Sequence, residues 1–351
     1  MRRGQMGLIV KFENVFFENL SAVEAPERVT SAAIEDQLAA VYARLGIPPR
    51  CIESLVGIQA RRFWEKDFEV DAAATLAGRR ALDTAASDHP TLQSEIGALI
   101  NTSVSKEYLE PSVSAMVHGA LGLPATCLNF DVSNACLGFV SGMTIAAQMI
   151  ESQQIPYALV IAGESSRKVV QSTIQRLQQS DSTMQDYRDY LPTLTLGSGA
   201  VAMLLCHRSR ATKGHQFLGV TSLAATAHSR ICLGTYDWMR TDAPKLLTEG
   251  IGLASRTWAQ SQQDLGWAET DISQYICHQV GATHLAALLK ALELQREKAF
   301  LTYPEFGNMG SAALPFTLAK ALDAGAFTSG DIVALMGIGS GLNCSMAKVL
   351  W

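Results

Sequence analysis

Residues 128–163, LNFDVSNACLGFVSGMTIAAQMIESQQIPYALVIAG, read as strand, sharp turn, helix and strand. LNFDVS (128–133) and YALVIAG (157–163) are short runs of the kind that pack in sheets. Between them Phe139, Val140, Met143, Ala146, Ala147 and Ile150 recur at three- and four-residue steps, which predicts a helix over 137–152 with a buried face. Working outward, EIGALINTS (95–103) and GAVAMLLC (199–206) add strands on either side. The second half repeats the pattern: YICHQV (275–280), a helical ALLKALEL (287–294), AFLTYPEFGNMGSA (299–312), a helical PFTLAKALDAG (315–325), then DIVALMGIGSG (331–341) and CSMAKVLW (344–351). This alternation predicts an α/β fold. Overlaid on their turns, Cys136 and Asn308 are equivalent, each expected to end a strand and open a helix, with the next strands near Tyr157 and Asp331. We therefore expect a structural duplication with halves 1–210 and 211–351 and a polar seam near 207–215, HRSRATKGH. A duplication of this kind brings the two equivalent helix N-termini face to face. The Gln-rich segment 168–191 reads as a surface-helical insertion that breaks the symmetry.

Composition narrows the function classes. Of 351 residues, 48% are apolar and 17% charged, as in a packed globular protein. The net charge of -5, with no long basic cluster, argues against nucleic acid as a partner. No apolar run approaches the roughly 18–20 residues of a membrane span. In MRRGQMGLIVKFENV, Lys11 and Glu13 interrupt the apolar patch, so no signal peptide is expected. The seven cysteines (51, 127, 136, 206, 232, 277 and 344) form no CxxC pair, so neither a disulfide framework nor a metal site is expected, and a reducing cytoplasm is the expected compartment.

Three side chains stand out as chemistry. A cysteine in the first turn of a helix lies beside free backbone N–H groups and the positive end of the helix dipole, which favour thiolate. Cys136 in DVSNACLGF occupies that position, although free cysteines are also common as inert core. His278 follows a strand and Asn308 opens a helix; a nucleophilic thiol needs such an imidazole and such a second donor near the reacting oxygen. The order Cys, His, Asn is shared with papain-like proteases, but no GSCW-like segment surrounds Cys136 and a duplicated α/β chain is the wrong framework. GIGSG (337–341) does not open a helix as a dinucleotide loop would. It is either a structural turn or a turn presenting N–H groups to an oxyanion.

Taken together, DVSNACLGF, HQV (278–280), GNMGSA (307–312) and the terminal GIGSGLNCSMAKV resemble the thiolase superfamily, in the branch of ketoacyl-ACP synthase III. GIQARRFW (57–64), NTSVSKEYLEPS (101–112) and LNCSMAKVLW (342–351) are similar to the members of that branch that join two fatty acyl-CoA molecules head to head. The resemblance implies a five-layered αβαβα thiolase fold and a dimer, with Cys136 as the acylated nucleophile and His278 and Asn308 as donors to the thioester oxygen. It makes the backbone N–H groups of Cys136 and Ser340 an oxyanion hole. It also makes Glu110 a base that reaches into the neighbouring subunit, where the residue alone reads as an ordinary surface carboxylate. Such a base is needed when no malonyl group loses CO2 to generate the carbanion. The implied substrate is fatty acyl-CoA or acyl-ACP, with no metal or redox cofactor. The expected grip on CoA differs from that of many relatives, since Ile52 and Val56 stand where a Trp and an Arg are usual. Arg61 and Arg62 are the candidates to replace it. A decarboxylating synthase, or one subunit of a heteromeric condensing enzyme, remains the alternative.

Overall fold

The computed structural model describes residues 8–351; Met1–Gly7, part of the stretch read for a leader, lies outside the described residues. The first half forms strands β1 (Val15–Glu24), β2 (Ile96–Asn101), β3 (Leu128–Asp131), β4 (Tyr157–Glu164) and β5 (Gly199–His207), in spatial order β3-β2-β4-β5-β1. β2 is parallel to β3 and β4, whereas β5 is antiparallel to β4 and β1. The second half forms β6 (His215–Ala224), β7 (Gln274–Cys277), β8 (Ile332–Gly339) and β9 (Asn343–Leu350), in the order β7-β8-β9-β6. Again the first pair is parallel and β9 runs antiparallel to both neighbours. Four strands of each half thus correspond in order and direction, and the second half lacks a counterpart of β3. β1 and β6 touch through Phe16↔Gln216 and Phe17↔His215, which joins the two sheets edge to edge, and Leu8–Lys11 pairs beside β6.

Asn308 does not end a strand as expected. The segment that should supply the third strand of the second half contributes only Ala299, bridged in parallel to Tyr275, and then turns into a short helix, Tyr303–Phe306. Pro304 offers no N–H to a ladder and Gly307 takes φ +65, so no continuous strand runs from Ala299 to Asn308, which pairs only in an isolated parallel bridge with Leu196.

The layers follow from the period of two along each strand. Helices α1 (Val70–Ala86) and α2 (Val113–Leu121) cover the outer face of the first sheet. α3 (Gly138–Glu151) lies on its inner face. On β4, Tyr157, Leu159 and Ile161 pack with α1 and α2, while Ala158, Val160 and Ala162 pack with α3. α4 (Arg167–Leu177) and α5 (Met184–Tyr190) form the insertion. It is not merely a surface helix: Val170, Ile174, Leu177, Tyr187 and Tyr190 are buried against Ile34, Leu38 and Tyr42. The abundant Gln side chains lie on the other face and mask a stripe at helical spacing. α6 (Ala243–Leu265) and α7 (Ala282–Ala291) cover the outer face of the second sheet, and α8 (Ala313–Asp323) shares the middle layer with α3. Val333 and Leu335 of β8 face that middle layer, and Ala334 and Met336 face α6 and α7. The sequence of layers is helix, sheet, helix, sheet, helix.

The middle layer holds the halves together. Phe139 of α3 and Phe316 of α8 have no exposed surface. Replacing Phe316 by Ala leaves a cavity between two sheets that cannot collapse onto it, and is expected to cost about 3–5 kcal/mol of unfolding free energy in urea titration. Leu76→Ala, on the exposed side of α1, is expected to stay within roughly 0.5 kcal/mol. Equal losses for the two would contradict this placement of the core.

Candidate active site

The two helix starts meet in the middle layer, as the duplication requires. Cys136 sits in a single 3-10 turn, Ala135–Leu137, that leads into α3, and the corresponding turn Gly310–Ala312 leads into α8. The turns pack against each other, and Gly138 lies against Ser311 Oγ and the Thr102 carbonyl. Gly339, at the end of β8, presses on the Cys136 turn from the third side: a Cβ there would stand 2.9 Å from Leu137 N and 3.1 Å from Asn134 O. Asn343 Nδ2 donates to Asn134 Oδ1 at 2.9 Å, fastening the start of β9 to the same turn. The Ser340–Leu342 loop between β8 and β9 is therefore held beside Cys136.

Asn308 is fixed from both sides. Its N–H donates to Thr195 O and its carbonyl accepts from Gly197 N, both in the first half. Its side-chain Oδ1 accepts from Gly310 N at 3.0 Å, which leaves the amide N–H groups as the free end. His278 follows β7, and its N–H donates to Met336 O. Since β7 and β8 are parallel, the imidazole leaves the sheet at the same end as Gly339. The ring is 8% exposed, and both Nδ1 and Nε2 lack a hydrogen-bond partner. Burying two unpaired ring nitrogens is costly unless something else engages them.

The charge states differ from the simple helix-dipole expectation. Burial pushes the Cys136 thiol up to about 12, helped by the Cys232 thiol and the Glu164 carboxylate, against the turn's own N–H. Desolvation outweighs the helix end, so the resting group is a thiol. Burial, with His284 nearby, lowers His278 to about 4, so its imidazole is neutral at pH 7 and one nitrogen is open to accept a proton.

The remaining predicted residues fall elsewhere. Glu110 and Pro111 are exposed on the loop between β2 and α2, with Tyr108 and the 81%-exposed Leu109. Arg61 is not available to a substrate phosphate: it has no exposed surface, and its guanidinium donates to Ser31 Oγ at 3.0 Å and Leu194 O at 2.9 Å. Arg62 lies near Glu24 at 3.8 Å and over the Phe306 ring. Ile52 is core. Among the described residues no group of three or more His, Cys, Asp or Glu is arranged to hold a metal, and no helix is long and apolar enough to cross a membrane.

Residues 130–225 match the family described as 3-oxoacyl-[acyl-carrier-protein (ACP)] synthase III, and residues 263–351 match its C-terminal counterpart. An acyl-CoA:acyl-CoA alkyltransferase from Xanthomonas campestris is 42% identical over 97% of this chain and 99% of its own length. The chain belongs to the acyl-CoA:acyl-CoA alkyltransferase family. Another alkyltransferase, from Shewanella oneidensis, is 38% identical over 97% of this chain and 100% of its own. A crystal structure of cerulenin-bound X. campestris OleA matches with a TM-score of 0.94 at 42% identity, covering 97% of this chain and 98% of that one. A cysteine-to-serine variant of the same protein with bound lauric acid and lauroyl-CoA matches at 0.93, over 97% of this chain and 100% of that one.

Two residues of this alkyltransferase-family site escaped the sequence reading. Gln279, 2% exposed, donates to Phe300 O and accepts from the N–H groups of Thr302 and Tyr303, tying the segment before Asn308 to the end of β7. Glu164, 3% exposed, closes β4 near Cys136. The available signal was a carboxylate ending the otherwise apolar run YALVIAGE.

Alkylation of Cys136 by iodoacetamide tests the charge assignment. With the thiol near 12, the thiolate fraction grows about tenfold per pH unit. The logarithm of the rate is therefore expected to rise linearly from pH 6 to 9 without a plateau. A plateau below pH 8 would mean a preformed thiolate–imidazolium pair.

Proposed function

We propose that the chain joins two fatty acyl-CoA molecules by a non-decarboxylative Claisen condensation. The reading is carried by one arrangement: a thiol and an amide donor on facing helix starts, beside a neutral buried imidazole with no partner of its own. Cys136 Sγ attacks the first thioester carbonyl while His278 takes the thiol proton and returns it to the departing CoA thiolate, giving acyl-Cys136 and CoA. The N–H groups of Cys136 and Ser340 receive the developing oxyanion. A second acyl-CoA then loses an α-proton to Glu110, and His278 and Asn308 donate to its enolate oxygen. The carbanion attacks acyl-Cys136, and collapse releases the thiolate, which recovers the proton from Glu110. The product is a 2-alkyl-3-oxoalkanoyl-CoA, whose hydrolysis gives a β-keto acid. Every bond change is an acyl or proton transfer, so the sequence of steps calls for no metal or redox cofactor.

Glu110 is assigned to the site of a second copy of the chain. Tyr108 and Leu109 on its loop and Leu128 on the edge strand β3 are exposed apolar side chains, which suits a homodimer contact on this side of the chain. The glutamate, cysteine and histidine replaced in crystallised variants of X. campestris OleA have the same mutual spacing as Glu110, Cys136 and His278. That spacing supports the roles proposed here for these three residues. We assign the halves to 1–210 and 211–351, and a reducing cytoplasm as the compartment, in keeping with seven free cysteines. The half-buried Arg62, unlike Arg61, keeps some surface for a CoA or carrier-protein phosphate.

Two measurements bear on the assignment. Intact-mass analysis after incubation with myristoyl-CoA is expected to show one acyl adduct per chain, absent from Cys136→Ala. Mixed and exchanged Cys136→Ala and Glu110→Ala subunits are expected to condense acyl-CoA although neither parent does. Properly exchanged mixtures that stay inactive would place Glu110 outside the partner's site.

A further inference from the structure

Glu164 is the only carboxylate described here that the condensation steps leave without a role although it faces the nucleophile turn. It ends a strand whose eight residues are all buried, and among the described residues no Lys, Arg or His lies within ion-pair distance of it. Its charge is met by four donors instead. Oε1 accepts from Val104 N at 2.8 Å and Ser311 N at 3.1 Å; Oε2 accepts from Ser105 N at 3.0 Å and Ser105 Oγ at 2.7 Å. Backbone N–H groups converging on an anion in this way fix the segments that carry them.

Those segments belong to different halves. Val104 and Ser105 are the root of the exposed loop that ends in Glu110, whereas Ser311 lies in the turn that Asn308 precedes. Gly310 adds a steric link: it takes φ +52, and a Cβ on it would stand 3.1 Å from Glu164 Cδ. The same Gly310 N–H holds Asn308 Oδ1. Displacing the carboxylate therefore displaces both the amide donor and the root of the base-carrying loop.

We propose that Glu164 is a positioning residue for carbon–carbon bond formation, holding the Asn308 amide in its own subunit's site and the Glu110 loop aimed at the partner's. It touches no reacting atom. Acyl transfer to Cys136 relies on His278 and on the oxyanion N–H groups, none of which Glu164 binds, and loss of the Glu164 charge, which helps hold the Cys136 thiol up, eases rather than hinders ionisation of the sulfur; the two chemical steps should therefore respond differently to its loss. Burial raises its carboxyl to about 7, so an uncharged replacement is tolerable in the fold, while the pattern of acceptors is what changes.

This inference rests on the proposed function, and its test separates the two. Glu164→Gln turns one acceptor into a donor facing backbone N–H groups. In single-turnover experiments with myristoyl-CoA, Cys136 acylation is expected to be no slower than in wild type, since the neutral replacement no longer opposes ionisation of the thiol. Condensation is expected to fall on the order of 10²-fold, the usual cost of misplacing catalytic groups by about 1 Å. Glu164→Asp, which keeps the charge one methylene short, is expected to recover part of the loss. Gly310→Ala and Ser105→Ala perturb the same carboxylate from outside and are expected to give the same split, the latter more mildly; they serve if Glu164→Gln does not fold. If acylation and condensation fall together in these variants, Glu164 is only a structural support; if neither falls, it positions nothing. Should wild type acylate Cys136 yet form no condensed product, the proposed function itself fails, at wild type rather than at the variants.

Discussion

The close approach of two helix starts inside the largely buried middle layer is the constraint on which the rest depends. The turns Ala135–Leu137 and Gly310–Ala312 face each other between two sheets. Polar groups there have little water to turn to and must be satisfied by protein. Asn343 to Asn134, Gln279 to the 300–303 segment, and the four donors on Glu164 are the answers to that demand. The His278 ring nitrogens and the outer end of Asn308 are what it leaves open. On the proposed function, the polar groups left unmet at the helix junction are those that receive the thioester oxygen.

The same burial sets the chemistry. A helix start alone argues for a thiolate at Cys136, yet desolvation and the neighbouring Glu164 charge keep the proton on sulfur. In the proposed reaction, attack by Cys136 must therefore pass that proton on, and His278, neutral in the free state, can receive it. A protonated histidine could not do so. Neutral imidazole and amide donors also suit an enolate, which needs hydrogen bonds to its oxygen more than a full positive charge.

Much of this was legible in the chain. The unbroken apolar run YALVIAG and the helical spacing from Phe139 to Ile150 gave a buried strand and the middle helix, because burial on both sides writes itself into sequence. The equivalence of the Cys136 and Asn308 turns was visible because both open helices, but the strand before Asn308 was not lost in any obvious way: Pro304 and Gly307 had to be weighed against a run that otherwise looks extended. Arg61 could not be told from Arg62 by composition, since one charged side chain disappears into a cage of Ser31 and Leu194 only when distant segments meet. Glu164 was overlooked for the same reason: its partners lie some sixty residues upstream and in the other half. Long-range satisfaction of a buried charge leaves no local pattern.

The origin of the carbanion tests the account most directly. In heavy water with myristoyl-CoA as sole substrate, the enzyme is predicted to form a β-keto product, detected by mass spectrometry, and to incorporate deuterium at the α-carbon of unreacted acyl-CoA or its analogue, with Glu110→Gln doing neither. Product that appears only when a malonyl thioester is supplied, with no α-exchange in its absence, would contradict the account and make the chain a decarboxylating synthase.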